Sequence, residues 1–153
     1  MTQAAMELGY VMTLKVSVGA PLVVGTMPTG IRRMTPILGG TFAGDGLEGK
    51  VLPGGADWQL VRPDGVIELE ARYALETADG VKIQVLDRGF RHAPKEIADR
   101  MARGEPVDPS SYYSRSFTVF EVEEGPYGWM NRTVFVGRSQ RLADHVQIDI
   151  YKV

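Results

Sequence analysis

Apolar and polar side chains alternate with a period of two along most of the chain. The plainest run is residues 66–77. There Ile67, Leu69, Ala71, Tyr73 and Leu75 fall on one face, and Glu68, Glu70, Arg72 and Glu76 on the other. A strand with one face buried and one in water needs that pattern, because successive side chains point to opposite sides of a sheet. Residues 81–90 alternate more weakly, through Val81, Ile83 and Val85. Asp79-Gly80 between the two runs is hairpin-turn chemistry, and Arg62-Pro63-Asp64-Gly65 makes a similar break after residues 56–61. Three consecutive antiparallel strands are therefore predicted.

The same signature recurs. Residues 7–18 read as a strand with Leu8, Tyr10, Met12 and Leu14 on one face. Residues 32–38 are compatible with a strand but interrupted by Pro36, and residues 47–52 form a short one bounded by Gly46 and Pro53. Residues 112–122, 129–136 and 146–153 complete the set. One segment departs: Ile97, Ala98 and Met101 recur at helical spacing between Pro94 and Gly104, which predicts a short helix near 94–103. About eight to ten strands at this spacing imply an all-β fold: a single antiparallel β-barrel over residues 1–153, lipocalin-like in general shape.

Composition adds to this. The 18 glycines and 9 prolines are many for an ordinary domain, and eleven of the glycines lie between Gly19 and Gly65. Glycine inside strands permits bulges and close backbone approach, so an architectural role in closing the barrel is expected of them. The net charge of −2 lacks the basic excess of a nucleic-acid binder. There is no cysteine, which removes thiolate nucleophiles and disulfides. The N-terminal residues lack a positive segment followed by an apolar one, and no apolar run is long enough for a membrane helix, so a cytoplasmic protein without membrane partners is expected.

Motifs for cofactor chemistry are weak. Residues 39–44 lack the Lys-Ser/Thr ending of a phosphate loop, and Gly44-Asp45-Gly46-Leu47-Glu48-Gly49 matches a dinucleotide fingerprint only in its letters, because no helix follows. His92 and His145 are the only histidines and stand far apart, so no metal site is expected. No G-x-S-x-G occurs.

What remains is a set of polar and aromatic residues among the strands. Asp57 and Gln59 share one face of their strand, and Trp58, Leu60 and Arg62 the other. Tyr73 lies on the apolar face of the best strand. Tyr112, Tyr113 and Arg115 open another. Tyr127, Trp129, Asn131, Thr133 and Phe135 share one parity. Apolar walls with a few oriented polar groups suit a small aromatic or oxygenated ligand in a barrel; the plainer alternative is that the tyrosines and tryptophans sit in the core with their polar tips hydrogen-bonded, and that Arg62 and Arg115 form ordinary ion pairs. Arginine outnumbers lysine 12 to 5, which leans toward carboxylates and planar anions.

Two runs carry a likeness to known sequences: Pro36-Ile37-Leu38-Gly39-Gly40-Thr41-Phe42, and Gly49-Lys50-Val51-Leu52-Pro53-Gly54-Gly55-Ala56-Asp57-Trp58. With Tyr112-Tyr113-Ser114-Arg115 and Tyr127-Gly128-Trp129-Met130-Asn131-Arg132, the chain resembles domain-of-unknown-function family 3237 of bacteria and fungi over nearly its whole length. The resemblance implies a compact antiparallel barrel with a small helix, often oligomeric. It implies no catalytic residues.

The leading expectation is a barrel that binds a small organic molecule, and acts on it without a cofactor by acid–base chemistry of lyase, hydratase, isomerase or cyclase type. Asp57 would be the base, Tyr73 or Tyr113 the donors, and Arg115 or Asn131 would orient a carbonyl or oxyanion. Trp58, Arg62, Tyr112, Trp129 and Phe135 would contact the ligand. A non-catalytic carrier or sensor, or a structural module that forms homo-oligomers through its strand edges, are the alternatives. Convergence of Asp57, Tyr73, Arg115 and Asn131 on one cavity is the deciding test.

Overall fold

A computed structural model describes residues 2–153. The strands are β1 (Gly9–Val18), β2 (Leu22–Met27), β3 (Gly30–Gly44), β4 (Leu47–Val51), β5 (Ala56–Val61), β6 (Ile67–Thr77), β7 (Lys82–His92), β8 (Tyr113–Val122), β9 (Phe135–Arg141) and β10 (Val146–Lys152), with one helix, α1 (Lys95–Ala102). All pairings are antiparallel. The order β1-β10-β9-β8-β7-β6-β4-β3 returns to β1 through a β1–β3 ladder, which closes an eight-stranded barrel. Closure leaves every strand of the ring paired on both sides.

β2 and β5 are extra strands, and both exist because β3 is long. The C-terminal half of β3 pairs with β1 and β4; its N-terminal half pairs with β2 and β5. Pro36 does not interrupt β3. Its carbonyl accepts from Gly19 N at 2.9 Å, so its polar side faces the break between β1 and β2, where no ladder partner needs the N–H that proline lacks. The break between β4 and β5 is the Leu52–Gly55 stretch, where a Cβ on Gly55 would run into Tyr73. Gly40, at φ +139°, sits where any side chain would meet the Lys15 carbonyl. The glycine-rich first third thus folds the wall of the barrel, as its composition implied.

Two local readings change. A bulge between Tyr10 and Met12 buries both Val11 and Met12 and turns Tyr10 outward. Residues 128–132 form a 3₁₀ turn rather than the start of a strand, and β9 begins only at Phe135. The parity shared by Trp129, Asn131 and Phe135 therefore has no structural meaning.

The interior has two halves. Met12, Leu14, Phe42, Leu75, Ile83, Val85, Phe120, Phe135 and Ile150 fill one end, and Met130 of the 3₁₀ turn closes it from below. Toward the other end the inward faces of β7 and β8 turn polar, while that of β6 stays apolar. On β7 the inward residues run Ile83, Val85, Asp87, Gly89, Arg91; on β8 they run Val122, Phe120, Thr118, Ser116, Ser114. The β7–β8 connection that carries α1 joins strands at this polar end, as does the β9–β10 hairpin. No helix among the described residues is long and apolar enough to cross a membrane.

Candidate functional site

The polar end is built by strand register. Thr35, Asp57, Ala71, Asp87 and Thr118 are aligned across β3, β5, β6, β7 and β8, and their side chains share the inward face. One step nearer the rim lie Arg33, Gln59, Leu69, Gly89 and Ser116; one step further lie Ile31, Val61, Ile67, Arg91 and Ser114. Ser114 is buried and hydrogen-bonds Ser139 across the β8–β9 side.

Hydrogen bonds order these groups. Gln59 is the centre: its carbonyl oxygen accepts from Arg33 Nε at 2.6 Å, and its amide nitrogen donates to Asp57 Oδ2 at 2.7 Å. The backbone N–H of Glu70 donates to Asp57 Oδ1 at 3.2 Å. Asp87 accepts from the Thr118 hydroxyl at 2.8 Å. The Tyr112 hydroxyl accepts from the backbone N–H of Arg141 at 2.9 Å, tying the start of β8 to the end of β9.

Burial sets the electrostatics. It raises the Asp57 carboxyl above the ordinary carboxylate range, against the Gln59 and Glu70 hydrogen bonds and the charges of Arg91 and Arg33, which pull the other way. Burial pushes Asp87 up to about 6, opposed by hydrogen bonds from Ser116 and Thr118 and reinforced by Asp57. The Tyr73 phenol is raised by burial and by the carboxylates of Asp87 and Asp57, so it stays a proton donor. Burial, with the charges of Arg141 and Arg33, lowers Arg91 to about 10, which leaves it cationic at neutral pH.

Of the residues singled out from sequence, Asp57 and Tyr73 come together here, and Tyr112 stands at the rim near Arg91 and Arg141. Tyr113 and Arg115 lie on the outer face of β8: Tyr113 stacks on His92 with centroids 4.8 Å apart, and the Arg115 guanidinium rests over the Tyr113 ring. Inward and outward positions alternate, so the buried Ser114 places both its neighbours outside. Asn131 is bound to the backbone of β8, accepting from Val122 N and donating to Val122 O, both at 2.8 Å. Trp58 is 46% exposed on the outside of β5. Arg62 pairs with Asp64 and Glu68 at the surface. Trp129 packs against Phe135 near the opposite end, and Phe135 itself is in the core, edge-on to Phe120 at 4.9 Å. Arg115 and Asn131 do not converge with Asp57 and Tyr73.

Arg33, Gln59, Asp87, Arg91, Ser114 and Arg141 were missed as site residues. Their signal was the weak alternation itself. An inward face that runs apolar and then polar at unchanged parity marks a strand whose two ends see different interiors.

Two outer grooves complete the surface. One, of about 880 Å³, follows the β4–β5 break past Gly55, Trp58, Arg72, Lys82 and Glu121. The other, of about 590 Å³, lies over Phe90, Arg115, Phe117, Arg138 and Tyr151.

The family model for proteins of unknown function DUF3237 matches residues 6–153. The chain belongs to that family. A UPF0311 protein of Rhodopseudomonas palustris is 45% identical over 148 residues, 97% of each chain. Its crystal structure, described as a conserved protein of unknown function, covers 99% of both chains at TM-score 0.93. A β-barrel-like protein of Acinetobacter baumannii is similar at TM-score 0.85 and 38% identity, over 99% of this chain and 98% of that one. A more distant fold neighbour, at TM-score 0.74 and 18% identity over 99% and 98%, is described as an enzyme from Penicillium herquei.

Proposed function

We propose that this DUF3237 barrel binds a small organic molecule in its polar end and acts on it by general acid–base chemistry. The observation that carries the reading is the convergence of Asp57, Asp87 and Tyr73. Two carboxyl groups with raised proton affinity and a phenol held protonated face one interior, and Asp57 is fixed by Gln59. Groups whose environments push them toward neutral pH are suited to taking and returning protons. Asp57 serves as the base in its ionised form, and Tyr73 or protonated Asp87 as the donor to a developing oxyanion. Enolisation, isomerisation, water elimination and ring closure all consist of such transfers. The description of the Penicillium herquei neighbour as an enzyme is in keeping with this reading.

The test is a library of oxygenated and aromatic small molecules incubated with the protein in deuterated water and followed by proton NMR. Deuterium incorporation or conversion of a bound compound by the wild type, lost in Asp57→Asn while binding persists, supports the proposal. Compounds that bind and return unchanged make the barrel a carrier. A library without binders makes it a structural module.

A further inference from the structure

Three arginines point into the polar end from three different strands: Arg33 on β3, Arg91 on β7 and Arg141 at the end of β9. They are close enough that the charge of Arg141 depresses the proton affinity of Arg33, and the charges of Arg141 and Arg33 that of Arg91. Ion pairs of arginine among the described residues involve Arg62, Arg88, Arg100, Arg103 and Arg132; Arg33, Arg91 and Arg141 form none. The acidic groups within the same end are Asp57 and Asp87, and Gln59 stands between Asp57 and Arg33. With Arg141 at the exposed rim, three arginines face the two carboxyl groups Asp57 and Asp87 at this end, although the whole chain carries −2.

Placing like charges together in a part-buried site destabilises the unliganded fold. The arrangement is explained by an anion that neutralises it. A guanidinium presents parallel N–H donors that match the two oxygens of a carboxylate, a geometry that a compact ammonium group does not offer. The level of Arg91 is shared by the inward positions Ile31, Val61 and Ile67, with Leu69 one step away, so a hydrocarbon body would find an apolar wall beside the cations.

We infer that the barrel mouth recognises an organic acid, with its carboxylate held among Arg33, Arg91 and Arg141 and its carbon skeleton against Ile31, Val61, Ile67 and Leu69. This rests on the proposed ligand site and names the class of molecule that enters it. Carboxylate and skeleton would lie side by side at the mouth, with Asp57 and Asp87 two steps deeper than Arg91 along the same inward faces and Tyr73 beyond them.

Benzoate and its neutral isostere benzamide test the inference by calorimetry and thermal shift, with inorganic phosphate as a second anion. Benzoate binding and raising the melting temperature, with benzamide inert, is the expected result. Arg141→Gln, at the exposed rim, and Arg33→Gln should each weaken benzoate by roughly tenfold or more, the range of a charged hydrogen bond. Asp57→Asn should bind benzoate at least as well as the wild type, because a nearby negative charge is removed. Circular dichroism confirms that each variant folds, and Arg141→Gln keeps the test open if a deeper substitution does not. Equal binding of benzoate and benzamide, protection by phosphate alone, or retention of benzoate by both arginine variants would overturn the inference. The two proposals fail separately: exchange of a neutral carbonyl compound without benzoate binding removes the organic acid and leaves the acid–base reading standing.

Discussion

The side-chain amide of Gln59 donates to Asp57 Oδ2 at 2.7 Å and is itself fixed from behind by Arg33. Because Arg33 can be satisfied only by an acceptor, the amide is oriented with its nitrogen toward Asp57. The hydrogen bond favours the ionised carboxylate and opposes the desolvation that raises it. Gln59→Leu, of similar volume, removes the donor. The Asp57 carboxyl should then titrate at higher pH than in the wild type, read from the side-chain carbon resonance in an NMR titration and assigned with Asp57→Asn. An unchanged or lower titration point would show that Gln59 does not tune Asp57.

Asp87 gives the pH dependence. Its native proton affinity lies near pH 6, above the unfolded value of 3.8, so the folded state holds the proton more tightly. The corresponding stability is fully present below about pH 3.8 and is lost as pH rises through about 6. The difference corresponds to on the order of 3 kcal/mol. Asp87→Asn keeps an acceptor for Thr118 and removes the charge. Urea denaturation should find this variant more stable than the wild type at pH 8, with the advantage shrinking toward pH 4.

Phe135 is 1% exposed and packs edge-on against Phe120. Phe135→Ala opens a cavity in the apolar end and should cost roughly 3–5 kcal/mol by chemical denaturation. Ligand binding at the polar end should change little in whatever fraction remains folded. A selective loss of binding without a loss of stability would return Phe135 to the ligand site.

Asn131 pins the 3₁₀ turn to β8 through two hydrogen bonds to one residue. Asn131→Ala leaves Val122 without these partners and should cost roughly 1–3 kcal/mol. Asn131→Asp keeps the acceptor but sets a carboxylate oxygen against the Val122 carbonyl, and should cost at least as much. Proton-exchange activity measured on folded protein should be unaffected by either change.

Strand existence was legible because period-two alternation is a local property. β5, β6 and β7 lie close to where Ala56–Val61, Val66–Thr77 and Val81–Phe90 placed them. β2 was not legible, because Leu22, Val23 and Val24 are consecutive apolar residues that pair only because β3 extends past the ring. The site was legible in part. Asp57 and Tyr73 were found through their own strands. Arg33, Arg91 and Arg141 lie far apart in sequence, and their meeting depends on closure of the sheet, which no local pattern encodes. Trp129 and Asn131 misled because a run of alternating letters is also compatible with a turn, and Gly125, Pro126 and Gly128 decide for the turn.

The change from apolar to polar along the inward faces of β7 and β8 bears on how such a chain can vary. Val85 and Asp87 are neighbours on one face of one strand, yet Val85 sits among packed side chains and Asp87 among polar groups. Replacing a residue of the packed layer disturbs everything that touches it, whereas the rim residues Arg33 and Arg141 are bounded on one side by water. A lineage can therefore rewrite the chemistry of the opening, a few positions at a time, while inheriting the means of folding intact.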